Sequence, residues 1–117
     1  MDLLTTILIS LVAILHVYFL ILEMFFWDKP YGRKVFGLKP DFATQSKSLA
    51  ANQGLYNGFL AAGLIWGILL GEQGDSIKIF FLCCVVIAGV YGGLTVNKKI
   101  LFIQALPAAL ALLLVLI

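Results

Sequence analysis

The sequence predicts an all-α protein, a four-transmembrane-helix bundle with antiparallel up-down connections, folded as a single domain over residues 1–117. Three observations predict it. The first is composition: 62% of the residues are hydrophobic and 12% are charged, with a mean hydropathy of +1.08, whereas soluble domains are about a quarter charged. The second is the recurrence of apolar runs at 3–27, 48–70, 77–96 and 100–117. At ~1.5 Å per residue each approaches or exceeds the ~30 Å of a bilayer's hydrocarbon. The third is the confinement of nearly all charge to the segments between those runs. A net charge of +2 is too small and too local to attract nucleic acid, so the partner implied is the lipid bilayer, and the basic residues read as topology signals.

The first run, 3–27, is too long for a signal-peptide core, has no basic residue ahead of it and no small-x-small site before Asp28, so it is expected to remain as a span. It carries His16 and Glu23, seven residues and therefore about two turns apart on one helix face, with Leu20 and Trp27 on the same stripe. Residues 28–47 form a basic loop holding Lys29, Arg33, Lys34, Lys39 and Lys47, interleaved with Tyr31, Val35, Phe36, Leu38 and Phe42. That pattern suits a segment lying on the membrane surface, the plainer alternative being a solvated linker. Pro40-Asp41 is a helix-start signal leading toward the second span.

The second run opens with Ala50-Ala51-Asn52-Gln53-Gly54-Leu55-Tyr56-Asn57-Gly58, in which Asn52, Gln53, Tyr56 and Asn57 form two i,i+4 pairs on a helix. Bare amides are costly in hydrocarbon, so this cluster is expected to face protein, water or a ligand. Gly54-x-x-x-Gly58 and Gly63-x-x-x-Gly67-x-x-x-Gly71 lie on opposite faces of the same helix and favour close packing, either within the chain or in a homo-oligomer. An acidic connection with Glu72 and Asp75 precedes the third run, which ends in Tyr91, Gly92, Gly93 and Thr95. The fourth contains Gln104 and Pro107, whose missing N–H leaves the Ile103 carbonyl without its helical donor. Cys83 and Cys84, adjacent and inside a span, are read as packing thiols.

Seven of the 8 Lys and Arg fall in the 28–47 loop and at Lys98-Lys99, leaving Lys78 on the other side, so the positive-inside rule puts both termini outside. The strong polar groups then share the inner half of the spans. His16, Glu23, Trp27, Asn52, Gln53, Tyr56, Asn57, Tyr91 and Gln104 are the candidate ligand-binding residues, with His16 and Glu23 the candidate acid–base pair. Nothing in the sequence matches a phosphate loop or a zinc helix, and one histidine does not furnish a di-metal bundle, so no metal is implied, and the residues leave the cofactor unknown.

His16, Glu23-Met24-Phe25-Phe26-Trp27, Phe36-Gly37, Asn52-Gln53-Gly54-Leu55-Tyr56-Asn57-Gly58-Phe59, Gly63, Trp66-Gly67, Ala88-Gly89, Tyr91-Gly92, Gln104 and Pro107-Ala108 together resemble a family of small bacterial four-span proteins catalogued as a domain of unknown function. The resemblance implies a multi-pass protein of the bacterial inner membrane, so the outside termini are periplasmic and the 28–47 loop cytoplasmic; it lends no activity. Size and span count are also similar to DoxX-type proteins linked to quinone-dependent oxidation, although no motif here carries that chemistry. Three functions follow as expectations: a binder or carrier of a small, mostly apolar molecule of the quinone or lipid kind; an enzyme acting on such a lipid through His16 and Glu23; or a structural subunit whose polar cluster only fixes helix packing.

Overall fold

A computed structural model describes residues 2–117. The described residues are helical almost throughout and contain no strand. Helix α1 spans Leu3–Phe25, α2 Pro30–Phe36, α3 Pro40–Leu69 and α4 Asp75–Thr95, with a 3-10 turn at Gly71–Gly74 between the last two. A single turn, α5 (Lys98–Ile100), runs through a π turn at Leu101–Ala105 into α6 (Leu106–Leu116). Three stretches are long and apolar enough to cross a membrane: Leu3–Phe25, Gly71–Thr95 and Lys98–Leu116. The run expected at 48–70 lies inside α3, whose 30 residues extend ~45 Å. Length is not what sets α3 apart; Asn52, Gln53 and Asn57 dilute its apolar character.

The element boundaries have local causes. At the start of α1, Asp2 Oδ1 accepts from the Thr5 backbone N–H at 2.8 Å and from its hydroxyl at 2.6 Å, satisfying a donor that a helix N-terminus leaves over. The same hydroxyl bond holds the Asp2 carboxyl below the usual carboxylate range. Residues 28–47 are far more helical than a linker. Pro30 opens α2, where its lost N–H costs nothing, and Gly37 closes it at φ 65, a left-handed cap that favours glycine. Pro40 then opens α3 with Asp41 in its first turn, where a carboxylate suits the helix dipole.

The chain divides into two compact units, one formed by residues up to Ile14 together with Leu60–Ile117, the other by Leu15–Phe59. In the first unit a core of buried side chains draws Ile9, Val12 and Ala13 from α1, Leu64 from α3, Leu82 and Val85 from α4, and Ala108 and Ala111 from α6. The buried positions of α4, namely Lys78, Leu82, Val85, Gly89 and Gly93, recur every three or four residues and so form one stripe. Gly89 sets the closest approach on that stripe, because a Cβ there would lie 2.5 Å from the Ala105 backbone nitrogen. Ala105 ends the π turn, in which the Leu106 N–H bonds the Leu101 carbonyl. With Pro107 unable to donate to Ile103, the helix widens by a residue just ahead of it.

The second unit is built on the last turns of α1, α2 and the first two thirds of α3. Gly54 faces Met24, the Glu23 Cβ and the Leu20 carbonyl, and Gly58 faces Leu20, so the two helices approach where a side chain would keep them apart. At the end of α1 the Trp27 indole N–H donates to the Ser46 hydroxyl at 2.9 Å, and the Trp27 and Phe36 rings sit 5.0 Å apart. Lys47 pairs with Asp28 at 3.2 Å, and its ammonium holds the Asp28 carboxyl below the usual range. Tyr18 and Tyr31 share a hydroxyl–hydroxyl bond of 2.6 Å that ties α2 back along α1.

Candidate functional site

Within the second unit the sequence-predicted residues converge at one bond. Asn57 is buried, and its side-chain amide donates to Glu23 Oε1 at 2.5 Å. The local reason is spacing: Gly54 and Asn57 are three apart on α3, so the glycine that admits α1 and the amide that meets its carboxylate share a face. Glu23 is partly buried. One amide donor leaves most of a carboxylate's acceptor sites open, since an ionised carboxylate offers about four.

The other predicted residues separate into four groups. His16 is fully buried and meets the Phe19 ring edge-on, with 5.7 Å between ring centroids. It shares Glu23's helix face two turns away, and seven residues of helix rise amount to ~10.5 Å. That is beyond the ~3 Å reach of direct proton transfer. Trp27 is engaged with Ser46 and Phe36 at the end of the helix pair. Asn52, Gln53 and Tyr56 lie on exposed positions of α3 rather than against Glu23. Tyr91, exposed on α4, and Gln104, on the π turn, belong to the other unit.

Two clefts occur elsewhere, of about 230 Å³ beside Asp2, Thr5, Asp75, Leu114, Val115 and Ile117, and about 240 Å³ beside Val86, Val90, Leu101, Phe102, Ala105, Leu106 and Ala109. None of the nine candidate residues lines either. Both are smaller than the ~300–1,000 Å³ usual for small-molecule sites.

Sequence reasoning missed Lys78. It counted this residue only as the basic side chain left on the outer face, whereas the structure buries it completely, the largest such side chain among those described. Its ammonium donates to the Gly71 carbonyl at 2.7 Å and to Asp75 at 3.1 Å, and its stem packs on Gly67. Gly74 in turn lies against the Gly67 carbonyl, too close for a Cβ. Lys78 thus closes the corner between α3 and α4, offering positive charge to carbonyls at a helix C-terminus. Its place on the α4 stripe with Leu82, Val85 and Gly89 is the signal that would have found it.

Three membrane-length apolar helices, with an acid–amide pair set between helical segments, define a small helical membrane protein. The chain belongs to the family described as Protein of unknown function (DUF1304), whose model matches residues 10–116. It is similar to the Uncharacterized protein YpaA of Lactococcus lactis subsp. lactis (strain IL1403), at 36% identity over 114 residues, covering 96% of each chain. No solved structure matches it.

Proposed function

We propose that the chain is a four-span protein of the bacterial inner membrane, with both termini in the periplasm, whose Glu23–Asn57 centre binds or carries a small, mostly apolar molecule with a polar head, of the quinone or lipid kind. The observation that supports this reading is the Asn57-to-Glu23 hydrogen bond inside a glycine-spaced helix pair. An acid within a span costs at least ~2.5 kcal/mol, and such residues generally have a partner or a task. Asn57 supplies one donor, and a ligand hydroxyl or carbonyl would take up the remaining hydrogen-bonding capacity. Its apolar body would lie against the exposed aromatic surface of Tyr56 and Phe59 on α3. Asn52 and Gln53, exposed on the same helix, add donors and acceptors. Binding is favoured over catalysis because the rise between His16 and Glu23 keeps that pair from exchanging a proton directly.

The test is retention of ligand through purification. Wild-type protein extracted in mild detergent is expected to carry a quinone- or lipid-like molecule, detected by mass spectrometry of its organic extract. Glu23→Gln, which still accepts from Asn57, is expected to carry about tenfold less or lower still, the loss of a charge-assisted hydrogen bond. Equal amounts in both proteins, or none above an unrelated membrane protein, would overturn the reading. The second of those results favours the competing reading, that Glu23–Asn57 only fastens α1 to α3, for which the Gly54 and Gly58 contacts speak.

The topology has its own test. In a variant with Cys83 and Cys84 changed to serine, Gln73→Cys is expected to react with a membrane-impermeant thiol reagent in intact cells, and Gln45→Cys only after permeabilisation. Both positions are exposed. The reverse labelling pattern would invert the assignment drawn from the basic loop.

A further inference from the structure

Residues 28–47 carry more positive charge than their own contacts use. Lys47 is paired with Asp28, while Lys29, Arg33, Lys34 and Lys39 have no ion pair among the described residues. Asp41, exposed in the first turn of α3, is the acid left to oppose them. The fold concentrates these cations. Lys29 caps α2 and Arg33 follows one turn later, bonded through its backbone N–H to the Lys29 carbonyl at 2.9 Å. The left-handed Gly37 then folds the chain back, with the Leu38 N–H on the Arg33 carbonyl at 2.8 Å, so Lys39 follows directly after α2 closes. Around the charges, Tyr31 and Phe42 are exposed aromatic side chains, the combination found where a protein meets the bilayer's headgroup layer.

One atom singles out the ligand's chemistry. Arg33 Nε is buried and has no hydrogen-bond partner among the described residues, although the side chain as a whole is partly open. An orphaned donor on a charged group is costly, and a guanidinium satisfies Nε–H and a terminal N–H together by gripping two oxygens of one carboxylate or phosphate. We infer that α2 and its corner with α3 form a binding site for the phosphate of an anionic phospholipid headgroup, with the partly open Arg33 side chain turning its Nε edge outward to grip it side-on and Lys29, Lys34 and Lys39 supplying the field. A membrane-embedded chain holds this segment at the headgroup layer, where anionic lipid is abundant, and there each basic residue strengthens attachment about fivefold. The inference stands apart from the Glu23 centre and survives its failure.

The experiment is native mass spectrometry of the intact protein in detergent containing equal amounts of phosphatidylglycerol and phosphatidylcholine with matched acyl chains. Wild type is expected to retain phosphatidylglycerol preferentially. Arg33→Gln is expected to cut that preference about fivefold or more, while Lys98→Gln, which removes an equal charge at an exposed position elsewhere, keeps it. Should Arg33→Gln fail to fold, Arg33→Lys takes its place with a smaller loss, because the charge stays and the planar fork goes. No preference in wild type, an equal loss in Lys98→Gln, or displacement of the lipid by inorganic phosphate at equal concentration would each overturn the proposal.

Discussion

Gly89→Ala is expected to destabilise the protein by about 2–3 kcal/mol, the cost of overpacking a filled interface, even though alanine is the better helix former by ~1 kcal/mol. The added methyl would stand 2.5 Å from the Ala105 nitrogen and 2.8 Å from its Cα and Cβ. Those are mostly backbone atoms of the π turn, so no side-chain rotation relieves the clash, and α4 must separate from the returning chain. Gly58→Ala makes the informative comparison. Its methyl would meet the tip of Leu20, 2.6 Å away at Cδ1, and a leucine tip moves to another rotamer at modest cost. The propensity gain then offsets the contact, and the net change is expected to stay within about 1 kcal/mol of zero. Thermal unfolding of both variants in one detergent checks the order. A Gly58→Ala midpoint as low as that of Gly89→Ala would show that the approach of α4 to Ala105 is no less forgiving than that of α3 to Leu20.

The second large effect belongs to Lys78. Lys78→Ala is expected to cost about 3–5 kcal/mol, since it empties a fully buried site at the price of other large-to-alanine changes, ~2–5 kcal/mol, and deprives the Gly71 carbonyl of its donor. Lys78→Met retains most of the stem volume against Gly67 and loses only the hydrogen bonds, so its cost is expected near 1–2 kcal/mol. Asp75 softens that loss, because its side chain is 46% exposed and water replaces the ammonium there. Lys78→Glu is expected to be worst of the three, setting a buried acid against Asp75 and a carbonyl. The thermal midpoints should fall in the order Met, Ala, Glu; a methionine variant at least as stable as wild type would mean that the ammonium does not hold the corner.

These two residues also mark the limits of sequence reading. The glycines of α3 were legible as packing surfaces, yet two partners answered each description, the same chain or another copy. The structure shows Gly54 and Gly58 meeting α1, Gly63 meeting Phe81, and Gly67 meeting Lys78. At the candidate site the amide cluster was visible as a group. Its members nonetheless differ: Asn57 is buried on Glu23, while Asn52, Gln53 and Tyr56 are exposed. Sequence spacing ranks neighbours along one helix, but which of them meets a carboxylate on another depends on where the two axes come closest. Gly54 and Gly58 decide that here. Residues 28–47 were legible only in part: Pro40-Asp41 was readable as a helix start and does open α3, whereas the separate short helix α2, opened by Pro30, was not foreseen.

The sequence by itself determined the class of this protein. Apolar runs of bilayer length, with charge held between them, leave the backbone no alternative to helices, because every N–H and C=O in hydrocarbon must be satisfied within its own segment. It also determined that Glu23 would be an expensive residue requiring a partner. Only the tertiary structure decided that the partner is Asn57, that Lys78 is buried as a corner seal rather than left as a surface charge, and that the chain ahead of Pro107 widens into a π turn against Gly89. These outcomes rest on contacts between segments distant in sequence. Such contacts are set by how closely two helices approach, which depends on side-chain volume at the crossing and not on the periodicity of either helix alone.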